Sequence, residues 1–492
     1  MLPQTQVKAG CFLADQEACR QSGSRAEQPT GLLAELLNDV GRWEEKILWV
    51  PLLCTRFGRT KPVANHIRIF MLGWEFPPFI SGGLGTACYG LTRAMDQLGM
   101  KVTFVLPRMV EGNYATHVRL LTPDSQGSVA AFKYRHLKNV RFRSIHSPLQ
   151  PYSTPEVYQR QIEETLRKKQ GLHGKKAGSF VLPKDYSSDM YTEVHRYAAV
   201  ATELAVDEEF EIVHAHDWMT YPAGIAVAAV SGRPLVVHVH STEFDRSGEH
   251  VNQMIYDIER AGMERADRVI AVSHFTRNII ISRYGISGDK VEVVHNGVDR
   301  LGSWTSEDTH ITRDEKIVLF LGRITMQKGP DYFLQAARKV LEVMDNVKFV
   351  MAGSGDLMRQ SIEMAAGLGI GHKVLFTGFL RGQDVQKIYK MADLYVMPSV
   401  SEPFGIAPLE ALDHDVPVII SKQSGVSEVL KHALKVDFWD VNEMANKIVA
   451  VLKYPPLQMT LRSHGNFEVR RLRWTDTAAK CAKIYEEMLV PV

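Results

Sequence analysis

The stretch Ala392-Asp-Leu-Tyr-Val-Met-Pro-Ser-Val-Ser-Glu-Pro-Phe-Gly-Ile-Ala-Pro-Leu-Glu-Ala-Leu412 decides the fold of this chain. It opens with a short apolar run, Leu394–Met397, which has the length and composition of a buried strand. Pro398 ends this strand, and Pro408 stands at a first-turn position where a helix needs no amide hydrogen. The stretch therefore predicts a strand, a loop and a helix, which is the repeating unit of a parallel α/β sheet.

Two glutamates belong to this unit. Glu402 lies in the loop beyond the strand, among Pro, Phe and Gly, where no structural need for a carboxylate is apparent. Glu410 falls in the first helical turn, where it either complements the helix dipole or points into the same cleft as Glu402. Because ligands of open α/β sheets bind beyond the carboxyl ends of the strands, both glutamates are candidate site residues.

Strand-like runs alternate with helical patterns on both sides of this unit, and a polar stretch from Arg300 to Glu315 divides them into two sets. At 492 residues the chain is long enough for two cores. The fold class is α/β, with two doubly wound parallel-sheet domains. The predicted strands are Ile67–Leu72, Lys101–Leu106, Ile212–Ala215, Leu235–His238, Val269–Val272 and Val291–Val294, then Lys316–Leu321, Val347–Ala352, Val374–Thr377, Leu394–Met397 and Val416–Ile420.

The domain boundaries follow from these two sets. Residues 66–300 form the first domain and residues 316–470 the second, while residues 471–492 form a helix that we expect to cross back to the first domain. Residues 1–65 are an extension of unknown role with one amphipathic helix at Leu32–Val50. A basic insertion at about 133–184 is either a solvated face or a contact surface for a polymeric acceptor or an acidic partner.

Two loops carry the remaining chemistry. Gly322-Arg-Ile-Thr-Met-Gln-Lys-Gly329 follows a strand, so Arg323 and Lys328 can converge on a diphosphate and neutralise it in place of a metal. Gly82 and Gly83 stand in the first strand-to-helix loop, where they either let backbone amides approach a phosphate or simply form a tight turn. The loop is not G-x-G-x-x-G and no acidic residue ends the next strand, which disfavours NAD.

Histidine pairs lie at two strand ends, His214 with His216 and His238 with His240. Each pair alternates with apolar residues, and we expect one histidine of each pair on each side of the sheet. This placement favours core or cleft residues over a metal pair, and His240, at the carboxyl strand end, is a candidate to bond a sugar. Asp413-His-Asp415 precedes a strand rather than following one, so we interpret it as a turn and not as a D-x-D metal motif.

Composition narrows the function further. Lys and Arg number 58 against 56 Asp and Glu, a net charge of +2, which gives no reason to invoke nucleic acid or a membrane surface. The five cysteines are scattered without a C-x-x-C pair, which favours a reducing cytoplasm over disulfides or zinc. No apolar run approaches the roughly 18–20 residues that span a bilayer.

These motifs resemble glycosyltransferase family four. The resemblance rests on Glu402-x7-Glu410, on Gly322-Arg-x4-Lys-Gly, on Ser81-Gly-Gly-Leu-Gly and on His295-Asn-Gly-Val-Asp299, and it looks closest to glycogen and starch synthase-like members. It implies a GT-B fold with an interdomain cleft, no metal or cofactor, and retention of the anomeric configuration. It implies a nucleotide-sugar donor, UDP-glucose or ADP-glucose, and a glucan-type acceptor.

The resemblance also implies a role for each motif residue. Gly82 and Gly83 would approach the donor phosphates, and Arg323 and Lys328 would hold the diphosphate. Glu402 would contact the donor sugar, Glu410 the ribose, Leu380 the base, and His240 the sugar during transfer. These site residues are Gly82, Gly83, His240, Arg323, Lys328, Leu380, Glu402 and Glu410.

The chain departs from the bacterial synthases in one motif. Their first loop carries Lys-x-Gly-Gly, and Ile80 stands at the Lys position here, which weakens the case for ADP-glucose. Other acceptors stay open, namely a lipid, another polysaccharide or a small molecule. Three other functions on the same fold also stay open: a phosphorylase, an epimerase and a nucleotide-sugar-binding protein.

Overall fold

The computed structural model describes residues 67–76, 82–106, 140–144 (backbone only), 190–298 and 314–490. The extension 1–65 with its predicted helix Leu32–Val50 lies outside the described residues. So do nearly all of the linker 300–315 and most of the basic insertion 133–184.

The first domain is built on a seven-stranded sheet in which all neighbours pair in parallel. The spatial order is β3-β2-β1-β4-β5-β6-β7. The order reverses between β1 and β4, which makes this pair a topological switch point. The strands are β1 Arg68–Leu72, β2 Lys101–Leu106, β3 Val140–Ser144, β4 Ile212–His216, β5 Leu235–Val239, β6 Arg268–Ala271 and β7 Val291–Val293.

Helices connect these strands wherever the connection is described, as parallel pairing requires. Three of them start at side-chain caps: Thr242 accepts from the amide of Asp245, Asn252 from those of Met254 and Ile255, and Ser273 from that of Thr276. The helices are α1 Gly83–Gln97, α2 Met190–Val206, α3 Tyr221–Ser231, α4 Glu243–Ser247, α5 Gln253–Arg265 and α6 His274–Tyr284.

The second domain has a six-stranded parallel sheet in the order β10-β9-β8-β11-β12-β13. Its switch point lies between β8 and β11. The strands are β8 Lys316–Leu321, β9 Val347–Ala352, β10 Val374–Gly378, β11 Leu394–Met397, β12 Val418–Ser421 and β13 Leu434–Val436. The helices are α7 Pro330–Leu341, α8 Met358–Gly367, α9 Gln383–Met391, α10 Ala407–Asp413, α11 Val426–Val429, α12 Val441–Lys453 and α13 Pro455–Val469.

Both faces of the second sheet are covered, which is why its strands are short continuous apolar runs. One buried cluster joins the sheet to α7 and α12, through residues such as Phe333 and Met444. A second cluster joins the opposite face to α9 and α10, through residues such as Tyr389 and Leu409.

The last helix, α14 (Trp474–Leu489), belongs to the core of the first domain. Trp474, Cys481 and Tyr485 are buried in the same cluster as β1 and α1. The approach is close: a Cβ built on Gly90 of α1 would lie 2.2 Å from the Trp474 ring. The chain thus returns to the first domain after completing the second.

The predicted strands all have counterparts, with ends that differ by at most two residues. The α/β prediction of two parallel-sheet domains is confirmed. Two strands are absent from the prediction. β3 lies within the segment interpreted as a basic insertion and extends the edge of the first sheet, and β13 pairs with β12 at the edge of the second. The Asp413–Asp415 segment ends α10, and Asp415 has a φ of 59°, so it forms a turn there as expected.

Candidate active site

The second switch point gathers the charged residues that the sequence singled out. Strands β8 and β11 are neighbours, and both run toward the same edge of the sheet. Arg323 and Lys328 follow β8, and Glu402 follows β11. The crevice beyond such a pair is where open α/β sheets bind ligands.

Lys328 and Glu402 form a direct ion pair in this crevice. Lys328 Nζ lies 2.5 Å from Glu402 Oε2, and the Ser399 hydroxyl donates to the same oxygen at 3.1 Å. The side chains are 21% and 9% exposed. Glu402 is further fixed by its backbone, whose amide donates to the Gln423 carbonyl at 2.9 Å. A largely desolvated cation is thus held in place before any substrate arrives.

Gly329 explains how the two loops come so close. Its φ is 65°, in the left-handed region, and a Cβ there would lie 2.2 Å from the Pro398 carbonyl oxygen. Only glycine combines this backbone conformation with that approach. The Gln327 carbonyl accepts from the Val400 amide at 2.9 Å and completes the contact between the loops.

Arg323 and Glu410 lie on either side of this pair in the sequence. Arg323 donates from Nη2 to Gln327 Oε1 at 3.1 Å, which places the guanidinium over the same loop. Glu410 sits in the first turn of α10 and accepts from the Tyr389 hydroxyl at 3.1 Å. Burial raises the pKa of Glu410, against the opposing effect of the Tyr389 hydrogen bond.

The other predicted donor contacts lie at strand ends of both sheets. Leu380 follows β10 and is half-buried against the second domain. Gly82 precedes α1 and Gly83 begins it. A Cβ built on Gly83 would meet nothing within 4 Å, so this backbone borders open space. Glu75, buried at the end of β1, accepts from the Gly85 amide at 3.0 Å.

His240 is held by the strand next to its own. Asp217, directly after β4, accepts from the amides of His240 at 2.7 Å and Ser241 at 3.3 Å. Asp217 has a φ of 58°, a conformation that costs an ordinary residue about 1–3 kcal/mol and marks functional sites. Burial raises its pKa to about 7, against the amides of His240 and Ser241 and the charge of Arg246.

The four strand-end histidines all lie on one face, so the prediction of one per side was wrong. Residues two apart in a strand point the same way. His214 Nε2 lies 3.3 Å from His238 Nδ1, and His216 Nδ1 lies 2.9 Å from His240 Nε2. Burial lowers the pKa of His214 and His240 to about 3, and that of the other two well below the usual value. All four rings are therefore neutral.

Hydrogen bonds join the two domains around this crevice. The Ser401 hydroxyl donates to Asp245 Oδ1 at 2.5 Å, so α4 of the first domain contacts the loop that carries Glu402. The Ser273 hydroxyl donates to the Pro403 carbonyl at 2.5 Å. Helix α4 also packs on the turn Met326–Lys328. The segment after His240 and the segments of Lys328 and Glu402 therefore meet in one place.

Sequence reasoning missed two members of this arrangement. Asp217 was missed because a positive φ cannot be identified in a non-glycine residue from sequence. Asp245 was missed because its role depends on Ser401, 156 positions away. The pattern that signals Asp245 locally is the capping box of Thr242 and Asp245 at the start of α4.

Two groups of side chains among the described residues have the spacing to hold a metal ion. One is His214, His216 and His238, and the other is His274, His295 and Glu428. The first group is already linked through ring nitrogens and through the Tyr485 hydroxyl, 2.5 Å from His214 Nδ1, so a metal would displace existing hydrogen bonds.

In the described part of the chain, no helix is both long and apolar enough to span a membrane.

Comparison with known proteins agrees with this geometry. Residues 168–300 match Glycosyltransferase Family 4, and residues 305–466 match Glycosyl transferases group 1. The chain is 30% identical over 381 residues to the uncharacterized glycosyltransferase MJ1607 of Methanocaldococcus jannaschii, covering 74% of this chain and 83% of that protein. The chain belongs to glycosyltransferase family 4. The predicted resemblance is confirmed, and the fold is GT-B.

Two further proteins are similar to this family 4 glycosyltransferase, one in sequence and one in structure. It is 23% identical over 433 residues to the glycogen synthase of Mycobacterium tuberculosis, covering 85% of this chain and 94% of that one. The structure of Anabaena HepE in complex with UDP and glucose superposes with a TM-score of 0.60 at 18% identity, covering 86% of this chain and all of that one. That structural likeness shows the fold.

Proposed function

We propose that this glycosyltransferase moves a hexose, glucose in the first instance, from a nucleoside-diphosphate donor to a glucan-type acceptor, with retention and without a metal. The observation that carries the proposal is the desolvated Lys328–Glu402 pair at the second switch point, with Arg323 in the same loop. Two cations at one strand end supply the charge that a departing diphosphate needs.

Each candidate residue has a place in this scheme. Lys328 and Arg323 bind the diphosphate, and Glu402, released from part of its pairing with Lys328, accepts hydrogen bonds from the sugar. Glu410, held by Tyr389, binds the ribose hydroxyls, and Leu380 packs against the base. A further set on the first-domain side consists of Gly82 and Gly83, whose amides face the phosphates, and His240, which contacts the sugar.

The transfer step breaks the bond between the anomeric carbon and the diphosphate oxygen and forms one to the acceptor oxygen on the same face. The acceptor proton passes to the departing phosphate oxygen. Arg323 and Lys328 stabilise the negative charge that develops on the leaving group, in a crevice where few waters compete. His240 is neutral, because burial lowers its pKa to about 3, so it acts as a hydrogen-bonding group toward the sugar and not as a charge.

The choice of donor and acceptor draws on the relatives. HepE is described with UDP and glucose, and Ile80 stands in place of the synthase lysine, so UDP-glucose is the first donor to test and ADP-glucose the second. The match to a glycogen synthase over most of both chains supports a glucan acceptor. The scattered cysteines favour a cytoplasmic setting.

The test is a matrix of donors and acceptors. UDP-glucose, ADP-glucose and GDP-mannose are each incubated with enzyme, with and without glycogen, in the presence of EDTA, and nucleotide release is measured. We expect glycogen-dependent release from a glucose donor, unaffected by EDTA, and an α-linked product by NMR. Loss of transfer in EDTA, an inverted product, or release that ignores glycogen would each contradict the corresponding part of the proposal.

A further inference from the structure

We propose that His274, His295 and Glu428 form a binding site for a divalent transition-metal ion such as Zn²⁺, separate from the Lys328–Glu402 pair and bridging the two domains. His274 begins α6 and His295 follows β7, both in the first domain, while Glu428 lies on α11 of the second. Two imidazoles and one carboxylate are a ligand set that zinc uses in proteins, with a fourth position left for water.

The spacing of the donor atoms suits a tetrahedral ion. One ligand atom from each residue lies within 4.8 Å of the other two. With metal–ligand bonds of about 2.0–2.2 Å, tetrahedral geometry places ligand atoms roughly 3.3–3.6 Å apart. His295 Nε2 and Glu428 Oε2 are already 3.1 Å apart. That edge of the tetrahedron therefore needs almost no adjustment, and a metal ion replaces the proton between the two atoms.

The carboxylate is held for this role by the backbone. Glu428 Oε1 accepts from the Phe275 amide at 2.6 Å and Oε2 from the His274 amide at 2.9 Å. Outer hydrogen bonds of this kind orient a metal ligand and keep it in its binding form.

The two rings are restrained but reachable. The His274 and His295 rings meet edge to face with centroids 5.9 Å apart, and His295 also contacts Phe404 at 5.9 Å. Both histidines line a cavity of about 600 Å³, which gives an ion a route in. Its wall carries two acidic residues, Asp289 and Glu292, and two basic residues, Arg277 and Lys480.

The cavity explains why this group is favoured over the buried histidines of the first domain. The rings of His214, His216 and His238 are at most 1% exposed, although His216 Nε2 and His238 Nε2 have no hydrogen-bond partner among the described residues. At His274, His295 and Glu428 an ion meets solvent on one side and ligands from both domains on the other. A bound ion consequently ties α6 to α11 and strengthens the existing contact between them.

The experiment compares zinc binding by full-length variants. Metal-stripped protein is titrated with Zn²⁺ in competition with a chromophoric zinc indicator, and thermal unfolding is followed with and without Zn²⁺. Glu428→Gln keeps the side-chain length and one acceptor oxygen for the backbone amides of His274 and Phe275, and His295→Phe keeps the ring contact with Phe404, so both are expected to fold. The matched control is His432→Ala, which removes a comparable ion pair, 2.9 Å from Glu468.

We expect the wild type and His432→Ala to bind one Zn²⁺ at this site and to gain thermal stability from it. Glu428→Gln and His295→Phe should each lose at least about tenfold in zinc affinity, since even the loss of an outer-shell partner costs about 10–100-fold. Identical titrations of the wild type and Glu428→Gln would overturn the site, because binding at the first-domain histidines does not involve Glu428. A loss in His432→Ala equal to that in the two site variants would overturn it as well.

Discussion

Replacing Lys328 with Ala tests the charge arrangement of the crevice in quantitative terms. At 2.5 Å and an effective dielectric of about 20, the attraction between the two charges is about 7 kcal/mol before desolvation is subtracted. Removing one partner of a buried pair costs about 3–5 kcal/mol, and because the Lys328 side chain is 21% exposed we expect about 2–3 kcal/mol of lost stability. The double variant Lys328→Met/Glu402→Gln removes both charges and should recover most of this loss in urea unfolding.

Activity should follow a different pattern. Loss of one preorganised group at the site of developing charge costs about 10²–10³ in kcat, so the Lys328→Ala turnover should fall by that factor at saturating donor. The double variant should stay inactive even though its stability returns. Lys387→Ala, which removes an exposed pair 3.3 Å from Asp384, is the control and should change neither quantity measurably. Near-normal turnover in Lys328→Ala, or activity that returns with stability in the double variant, would refute a role for Lys328 in transfer.

Three further predictions concern the supports of the crevice. Burial raises the pKa of Asp217 to about 7, so the folded carboxyl keeps a proton that the unfolded carboxyl releases near pH 4. The folded state therefore binds more protons than the unfolded state in this range, and the free energy of unfolding falls as pH rises from about 4 to 7. Asp217→Asn removes the titrating group and should flatten that part of the plot of unfolding free energy against pH. Gly329→Ala should lower the free energy of unfolding by about 1–3 kcal/mol or more, because residue 329 has a φ of 65° and the new Cβ would lie 2.2 Å from the Pro398 carbonyl oxygen. Gly367→Ala is the control and should not destabilise the protein, since a Cβ there meets nothing within 4 Å. Equal changes in melting temperature for the two variants would contradict the steric argument. Tyr485→Phe removes the hydrogen bond to His214 and should cost about 1 kcal/mol in the same assay, and an unchanged melting temperature would count against that bond.

The fold could be predicted from sequence because buried parallel strands are continuous apolar runs. Leu394–Met397 and Lys316–Leu321 match the structure to the residue. The exceptions are two edge strands: β3, Val-Arg-Phe-Arg-Ser, is concealed by alternating arginines within a basic segment, and β13, Leu-Lys-Val, is only three residues long. The start of β12 was placed two residues early because Val416 and Pro417 continue its apolar pattern through the turn after Asp415.

The site could be predicted less completely. Residues at strand ends, such as Lys328 and Glu402, could be placed in one crevice from topology alone, since neighbouring parallel strands end at the same edge. Their direct pairing depends on Gly329, whose close contact with the Pro398 carbonyl becomes visible only in three dimensions. The Asp245–Ser401 contact joins two domains, and no local pattern in either segment encodes its partner.

The return of α14 to the first domain has a consequence for how the chain is synthesised. The core of the first domain contains buried residues of α14, among them Trp474, Cys481 and Tyr485, although its other buried described residues precede position 300. During translation the first sheet emerges from the ribosome long before these side chains exist. Its apolar surface beneath α14 must therefore stay uncovered, or be held by a chaperone, until α14 itself has left the exit tunnel. A nascent chain that stops short of Trp474 should remain sensitive to protease in its first half, however complete its second half has become.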